Sequence, residues 1–171
     1  GKGINKPKDL AGKSITVSPG GSTSKLLSGF LKPIGIEVVR KNVKPAAMHA
    51  LLLSGSVDAI TEYVFSSVLL NKHAKEDGRR VDHFLYSATG LTLYSNSLLT
   101  SEKRIKERPD EVRRFVKATL QGFRYAFAHP QEGADLLKKL QPQVDREASI
   151  KEYVLVRQMM TSANTIKNGM G

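Results

Sequence analysis

The chain contains no cysteine and no tryptophan in its 171 residues. Without cysteine there is no disulfide, no thiol nucleophile and no thiolate-bound metal. The four histidines, His49, His73, His83 and His129, stand alone or far apart, at no metal-ligand spacing of the HExxH kind. Aromatic residues make up only 6% of the sequence, leaving few platforms on which single-stranded nucleic acid could stack. No apolar run approaches the ~20 residues that cross a bilayer as a helix. A GxSxG nucleophile elbow, a GxGxxG turn and a Walker Gly-Lys-Ser/Thr are all missing, as are internal repeats and low-complexity tracts.

What is present is an ordinary globular composition with an uneven charge. Hydrophobic residues amount to 40% and charged residues to 25%. The 27 basic residues outnumber the 16 acidic ones, for a net charge of +11. Such an excess raises nucleic acid or an anionic surface as partners. Yet the cations are scattered from Lys2, Lys6, Lys8 and Lys13 to Lys103, Arg104, Lys106, Arg108, Arg113 and Arg114, with no nucleic-acid motif beside them. Solvated helix faces account for them, and no nucleic-acid partner is expected. The chain opens on Gly1-Lys2-Gly3 without Met and closes on Asn168-Gly169-Met170-Gly171, which suggests a processed or truncated product.

The stretch from Ser14 to Ser24 organises the first half. Ser14 to Ser18 reads as a short strand with Ile15 and Val17 on one face. Pro19-Gly20-Gly21 breaks it, and the hydroxyls of Ser22, Thr23 and Ser24 precede Leu26, Leu27, Phe30 and Leu31 at helical spacing. One of the three hydroxyl residues is the expected N-cap. A strand, a glycine turn with φ > 0 and a helix start bring free N–H groups and a positive dipole end to one spot, where small polar or anionic ligands settle. Taken alone, the same pattern also fits a plain βα turn.

Further along, Pro33 ends the first helix and Ile36 to Arg40 reads as a second strand. Pro45 starts an alanine-rich helix that Gly55 stops. Val57 to Phe65 follows as a third strand, Ser66-Ser67 caps a helix through Leu70 and Ala74, and Val81 to Tyr86 reads as a fourth strand. Four strands alternating with three helices predict a parallel sheet with right-handed crossovers. Leu91 to Ser95 reads as one more strand. After Thr100 the chain turns helical, with Val112, Phe115, Val116, Thr119, Leu120, Phe123 and Phe127 forming a stripe after Pro109. Pro130 begins another helix, and a last one starts near Asp145 and runs to Met160.

Several segments resemble, in order, the periplasmic solute-binding proteins of the taurine/alkanesulfonate and thiamine-precursor type. Ile4 to Val17 is similar to their domain-entry segment, Pro19-Gly20-Gly21-Ser22-Thr23 to their ligand turn, and Leu51 to Ile60 to their helix–strand step. Tyr94 to Glu102 resembles the return strand, Arg108 to Ala118 the helix after it, and His129-Pro130-Gln131-Glu132 the following step. The resemblance implies an α/β fold. Residues 8–87 would form a periplasmic-binding-protein type 2-like lobe, its mostly parallel sheet flanked by helices. Residues 88–171 would be a largely helical return segment of the other lobe, whose opening strands the chain lacks, so that self-association as a homodimer is expected. It further implies binding of a small solute in a cleft between lobes, delivery to the permease of an ABC importer, a periplasmic or lipid-anchored extracytoplasmic location, no cofactor and no catalysis. Related pyrimidine-precursor synthases consume a histidine and carry a cysteine-rich motif, which the absence of cysteine opposes. A polyanion binder is the third alternative.

The resemblance assigns Gly21, Ser22 and Thr23 to the ligand turn. Glu62 and Tyr63, placed at the C-terminal end of the third strand, fall where open α/β sheets take ligands. Glu62 reads either as an acceptor for a ligand amino group or as a solvated carboxylate, and Phe65 either stacks on a planar ligand or packs. Tyr94 and Asn96 belong to the return strand, where Asn96 equally suits a turn. Asp58 reads as structural, and His49 as a packing or solvent-facing residue.

Overall fold

The computed structural model describes residues 3–91 and 96–169. The chain divides into two compact units, Gly1–Leu93 and Tyr94–Gly171.

Unit 1 is built on a parallel three-stranded sheet in the order β2-β1-β3. Strand β1 (Ser14–Val17) lies between β2 (Val39–Asn42) and β3 (Ala59–Ile60), with Ser14 opposite Val39 and Ile15 opposite Ala59. Helix α1 (Ser22–Leu31) joins β1 to β2, α2 (Pro45–Leu53) joins β2 to β3, and α3 (Ser67–Glu76) follows β3. This is the α/β architecture that the alternating pattern predicts. Its core gathers Leu10, Ile15, Val17, Leu27, Phe30 and Leu31, so one face of β1 packs on the apolar side of α1. The entry into β1 is pinned by Asp58, whose Oδ2 accepts from the Ser14 amide at 2.8 Å and from the Ser14 hydroxyl at 2.7 Å. The structural reading of Asp58 holds.

The strands differ from expectation for reasons that lie in their neighbours. β2 starts at Val39 rather than Ile36: ahead of it the Gly12 amide still donates to the Glu37 carbonyl at 2.8 Å, but Gly12 turns the chain at φ +69° and the ladder begins only at Ser14, so Ile36 and Val38 pack against the core from irregular backbone. β3 is far shorter than the expected run from Val57 to Phe65. Pairing ends with the Thr61 amide donating to the Thr16 carbonyl at 3.2 Å, since β1 itself turns away after Val17. Past that point the chain winds into a 3-10 turn, Val64–Ser66. The expected fourth strand, Val81 to Tyr86, does not form. With β3 only two residues long there is little edge to extend, and Phe84 and Tyr86 pack on the core from irregular backbone. Of the expected strand from Leu91 to Ser95, all but Leu91 lies outside the described residues.

Unit 2 is helical: α4 (Glu102–Glu107), α5 (Pro109–Ala128), α6 (Pro130–Leu140), α7 (Arg146–Met160) and α8 (Ala163–Asn168). Each of the two expected proline starts is observed, Pro109 and Pro130 standing at the first helical position. Asp145 caps α7, its side chain accepting from the Ala148 amide at 2.9 Å. The short α8 continues past the expected end near Met160, held by a Ser162–Thr165 capping box. α6 and α7 meet through small residues, with Ala134 and Ala148 buried, and Arg146 forks onto Asp135 to hold the start of α7 against α6. That guanidinium keeps the Asp135 carboxyl below the usual carboxylate range.

Candidate functional site

At the C-terminal edge of β1 the chain makes a tight turn before α1. The Gly21 amide donates to the Ser18 carbonyl at 3.0 Å, and Gly20 takes φ +75°, a conformation glycine adopts at no steric cost. The glycine that needs its freedom is thus Gly20. Gly21 sits at φ −67° as the N-cap of α1, where the sequence pointed to a hydroxyl residue. Its lack of a side chain matters for space, since a Cβ there would lie 3.2 Å from the Ser18 carbonyl oxygen. The hydroxyls act otherwise: Ser24 Oγ donates back to the Ser18 carbonyl at 2.7 Å and ties the helix start to the turn.

The start of α1 is therefore an electropositive end with no side-chain cap and no acidic residue in its first turn. By helix geometry its leading N–H groups have no partner within the helix. Thr23 is fixed from behind, because the Tyr86 hydroxyl donates to its carbonyl at 3.0 Å. Tyr86 also stacks at a tilt on Phe30, with centroids 5.1 Å apart, and burial pushes its phenol up to about 12.

The exit of β3 reaches the same edge of the sheet. Ser22 Oγ and the Tyr63 hydroxyl share a hydrogen bond at 2.8 Å, which links the start of α1 to the segment after β3. Tyr63 lies parallel to Phe65, rings 5.4 Å apart and 9° from coplanar. Tyr63 remains 39% exposed. Next to it, Glu62 is neither free nor merely solvated. The His49 Nε2, from the second turn of α2, is 2.8 Å from both Oε1 and Oε2 of Glu62. This hydrogen bond, helped by the Glu62 charge and opposed by burial, holds His49 above its usual value of 6.5.

Of the eight residues expected at the site, the structure therefore brings Ser22, Tyr63 and Phe65 into direct succession. Gly21 and Thr23 shape the same helix start, and Glu62 stands beside Tyr63 in the chain. Asn96 is an exposed residue of unit 2, and Tyr94 lies outside the described residues. Sequence reasoning missed two participants. Tyr86 was read as part of a strand. His49 did carry a signal, being the one polar side chain in the nine residues of α2. Among the described residues no group of three or more His, Asp or Glu could hold a metal ion. An open groove along α5, lined by Arg113, Val116, Lys117, Leu120, Gln121 and Arg124, comes from a single helix face.

A helix start with spare amides, two hydroxyls, a carboxylate–imidazole pair and a parallel aromatic pair can together hold a small polar molecule with a flat part. Residues 1–133 match the family model described as NMT1/THI5 like. The chain belongs to the NMT1/THI5-like family. It is also similar to the riboflavin-binding protein RibY of Chloroflexus aurantiacus, 32% identical over 92 residues, which are 53% of this chain and 25% of that relative. The chain thus matches only about a quarter of the relative's length. Family and relative support a solute-binding role in general and point to binding proteins rather than enzymes. The family is typically extracytoplasmic, and no helix among the described residues is long and apolar enough to cross a membrane.

Proposed function

We propose that the protein is the solute-capturing component of an ABC importer, handing its cargo to a membrane permease from the periplasm or from a lipid anchor outside the cytoplasm. The solute is small and polar with a planar portion, and it settles at the C-terminal edge of the unit 1 sheet. The observation that carries this reading is the Ser22–Tyr63 hydrogen bond, which couples the electropositive start of α1 to the aromatic pair after β3. Amides and hydroxyls of residues 21–23 hold a polar group, and Tyr63 and Phe65 cover the flat face. Tyr94 and Asn96 are assigned to the same binding role on the family pattern. Glu62 disfavours a purely anionic solute, because a carboxylate facing an anion is repulsive in a closed site. That favours a flavin-like or aminopyrimidine-like molecule over a simple sulfonate. No cofactor, catalytic step or nucleic acid enters this reading.

The test starts with the small molecules released on denaturing the purified protein, identified by mass spectrometry, and with riboflavin, 4-aminopyrimidine and taurine titrated separately. The expected result is a bound planar solute whose affinity falls several-fold in Ser22→Ala, the loss of about 1 kcal/mol that one hydrogen bond supplies. Taurine binding as well as or better than both planar compounds would remove the planar-solute reading.

A further inference from the structure

The His49–Glu62 pair has a geometry that bears on which solutes the site admits. One nitrogen equidistant, at 2.8 Å, from both oxygens of a carboxylate sits midway between them. That is the side on which a carboxylate receives two parallel donors, as it does from a guanidinium fork. A solute presenting paired N–H or O–H groups, such as an amidine, a ring-protonated aminopyrimidine or a vicinal diol, needs the same side. Both partners stay accessible to such a competitor, with side chains 22% and 28% exposed. α2 and β3 are in contact, and the pair joins α2 to the segment that leaves β3 at the sheet edge.

We propose that His49 is a specificity-determining residue of this site, occupying the two-oxygen side of Glu62 until a solute with a paired donor displaces it. This rests on the solute-binding reading above and adds to it a selection rule and a proton. The polar and charged groups on the elements next to the imidazole are few. α2 contributes Lys44 at its N-cap, the β3 exit contributes Glu62 and the Tyr63 hydroxyl, and the start of α1 adds the Ser22 hydroxyl on Tyr63. Among the described residues, Glu62 is the charged group that acts on the ring. Paired, His49 keeps its proton above 6.5; displaced, it returns toward that value. Between the two values, uptake of a paired donor releases a proton, and affinity rises with pH. Below 6.5 both states are protonated and above the raised value both are neutral, so the slope vanishes on either side.

The probe is benzamidine, a planar ring with two parallel N–H donors, with benzyl alcohol as the single-donor control. Histidine ring protons are followed by NMR across pH in the full chain, alone and with each probe. Without probe, His49 is expected to titrate above 6.5 and to fall back in Glu62→Gln. Saturating benzamidine should lower the His49 titration, and benzyl alcohol should not. His49→Gln retains a neutral donor and should bind benzamidine with no pH slope, whereas His49→Ala should bind it several-fold more tightly at neutral pH. If benzamidine binds while the His49 titration stays put and the pH slope survives in His49→Gln, the proposal is overturned and the solute site stands. If benzamidine binds neither the wild type nor His49→Ala at millimolar concentration, while the natural solute loses affinity in Ser22→Ala, Glu62 is not a donor-recognising group and the proposal fails alone. If the natural solute is also indifferent to Ser22→Ala, both readings fail together.

Discussion

The two units bury their apolar residues in different ways. In unit 1 the large side chains are inside: Phe30 and Leu27 are each 2% exposed, and Ile15, Val17 and Leu31 complete the layer between β1 and α1. In unit 2 the buried positions go to small residues. Ala134 and Ala148 lie between α6 and α7, and the Tyr153 ring closes on Gly133, where a Cβ would meet it at 3.2 Å. The large apolar residues of unit 2 are at best half-buried and several face outward, Phe115 at 63% and Leu140 at 71% exposure, and α5 buries none of its twenty residues. A sheet offers each helix a broad face to cover, whereas helices joined by short turns approach along lines where small residues permit contact. Periodicity is equally clear in both halves. It tells which side of an element is apolar and says nothing of how much lies against that side.

The largest effect that would break this contrast is a matched pair of truncations. Phe30→Ala should cost about 3–5 kcal/mol of unfolding free energy, while Phe115→Ala should stay within about 0.5 kcal/mol. Chemical denaturation followed by circular dichroism measures both; comparable losses would mean that α5 is covered in solution. Next in size is Asp58→Ala, which strips two hydrogen bonds from the start of β1 and should cost about 1–3 kcal/mol. An unchanged midpoint would show that β1 is not held there. Tyr86 then sharpens the account of unit 1 by pH. Its phenol titrates at about 12 against an ordinary 10, so its contribution is complete below 10 and is lost as pH rises through 12. Tyr86→Phe should flatten that alkaline decline in thermal melts, and a decline of the same size in the variant would assign it elsewhere. The smallest effect concerns the outward face of unit 2. Exposed Phe115, Leu136 and Leu140 should give weak self-association, visible as a concentration-dependent mass in light scattering and reduced in Leu140→Glu. A constant monomer mass up to millimolar concentration would contradict the homodimer that the sequence led us to expect.

The parts of the fold that depend on local chemistry were legible. Pro109 and Pro130 start their helices, Asp145 caps α7, and Pro19-Gly20 turns the chain after β1, because each acts on backbone within a few residues of itself. Strand lengths were not, because a strand lasts only as long as its neighbour. Val57 to Phe65 has the residues of a nine-residue strand, and β1 supplies partners only from Asp58 to Thr61. The same division runs through the site. The turn of residues 18–24 and the position of Tyr63 at the sheet edge follow from the order of elements. The His49–Glu62 pair does not, since it joins residues thirteen apart through the packing of α2 beside β3.

The central claim is that the solute is held at the start of α1, and Gly21→Val tests it most directly. The substitution adds atoms against the Ser18 carbonyl without asking for an unusual φ, so the fold of unit 1 should survive while the turn opens. Calorimetric titration of this variant with the solute recovered from the wild-type protein is the measurement. The account predicts a loss of at least about tenfold in affinity, on the order of 1.4 kcal/mol, with an unchanged circular dichroism spectrum. Wild-type affinity in a normally folded Gly21→Val protein would contradict it.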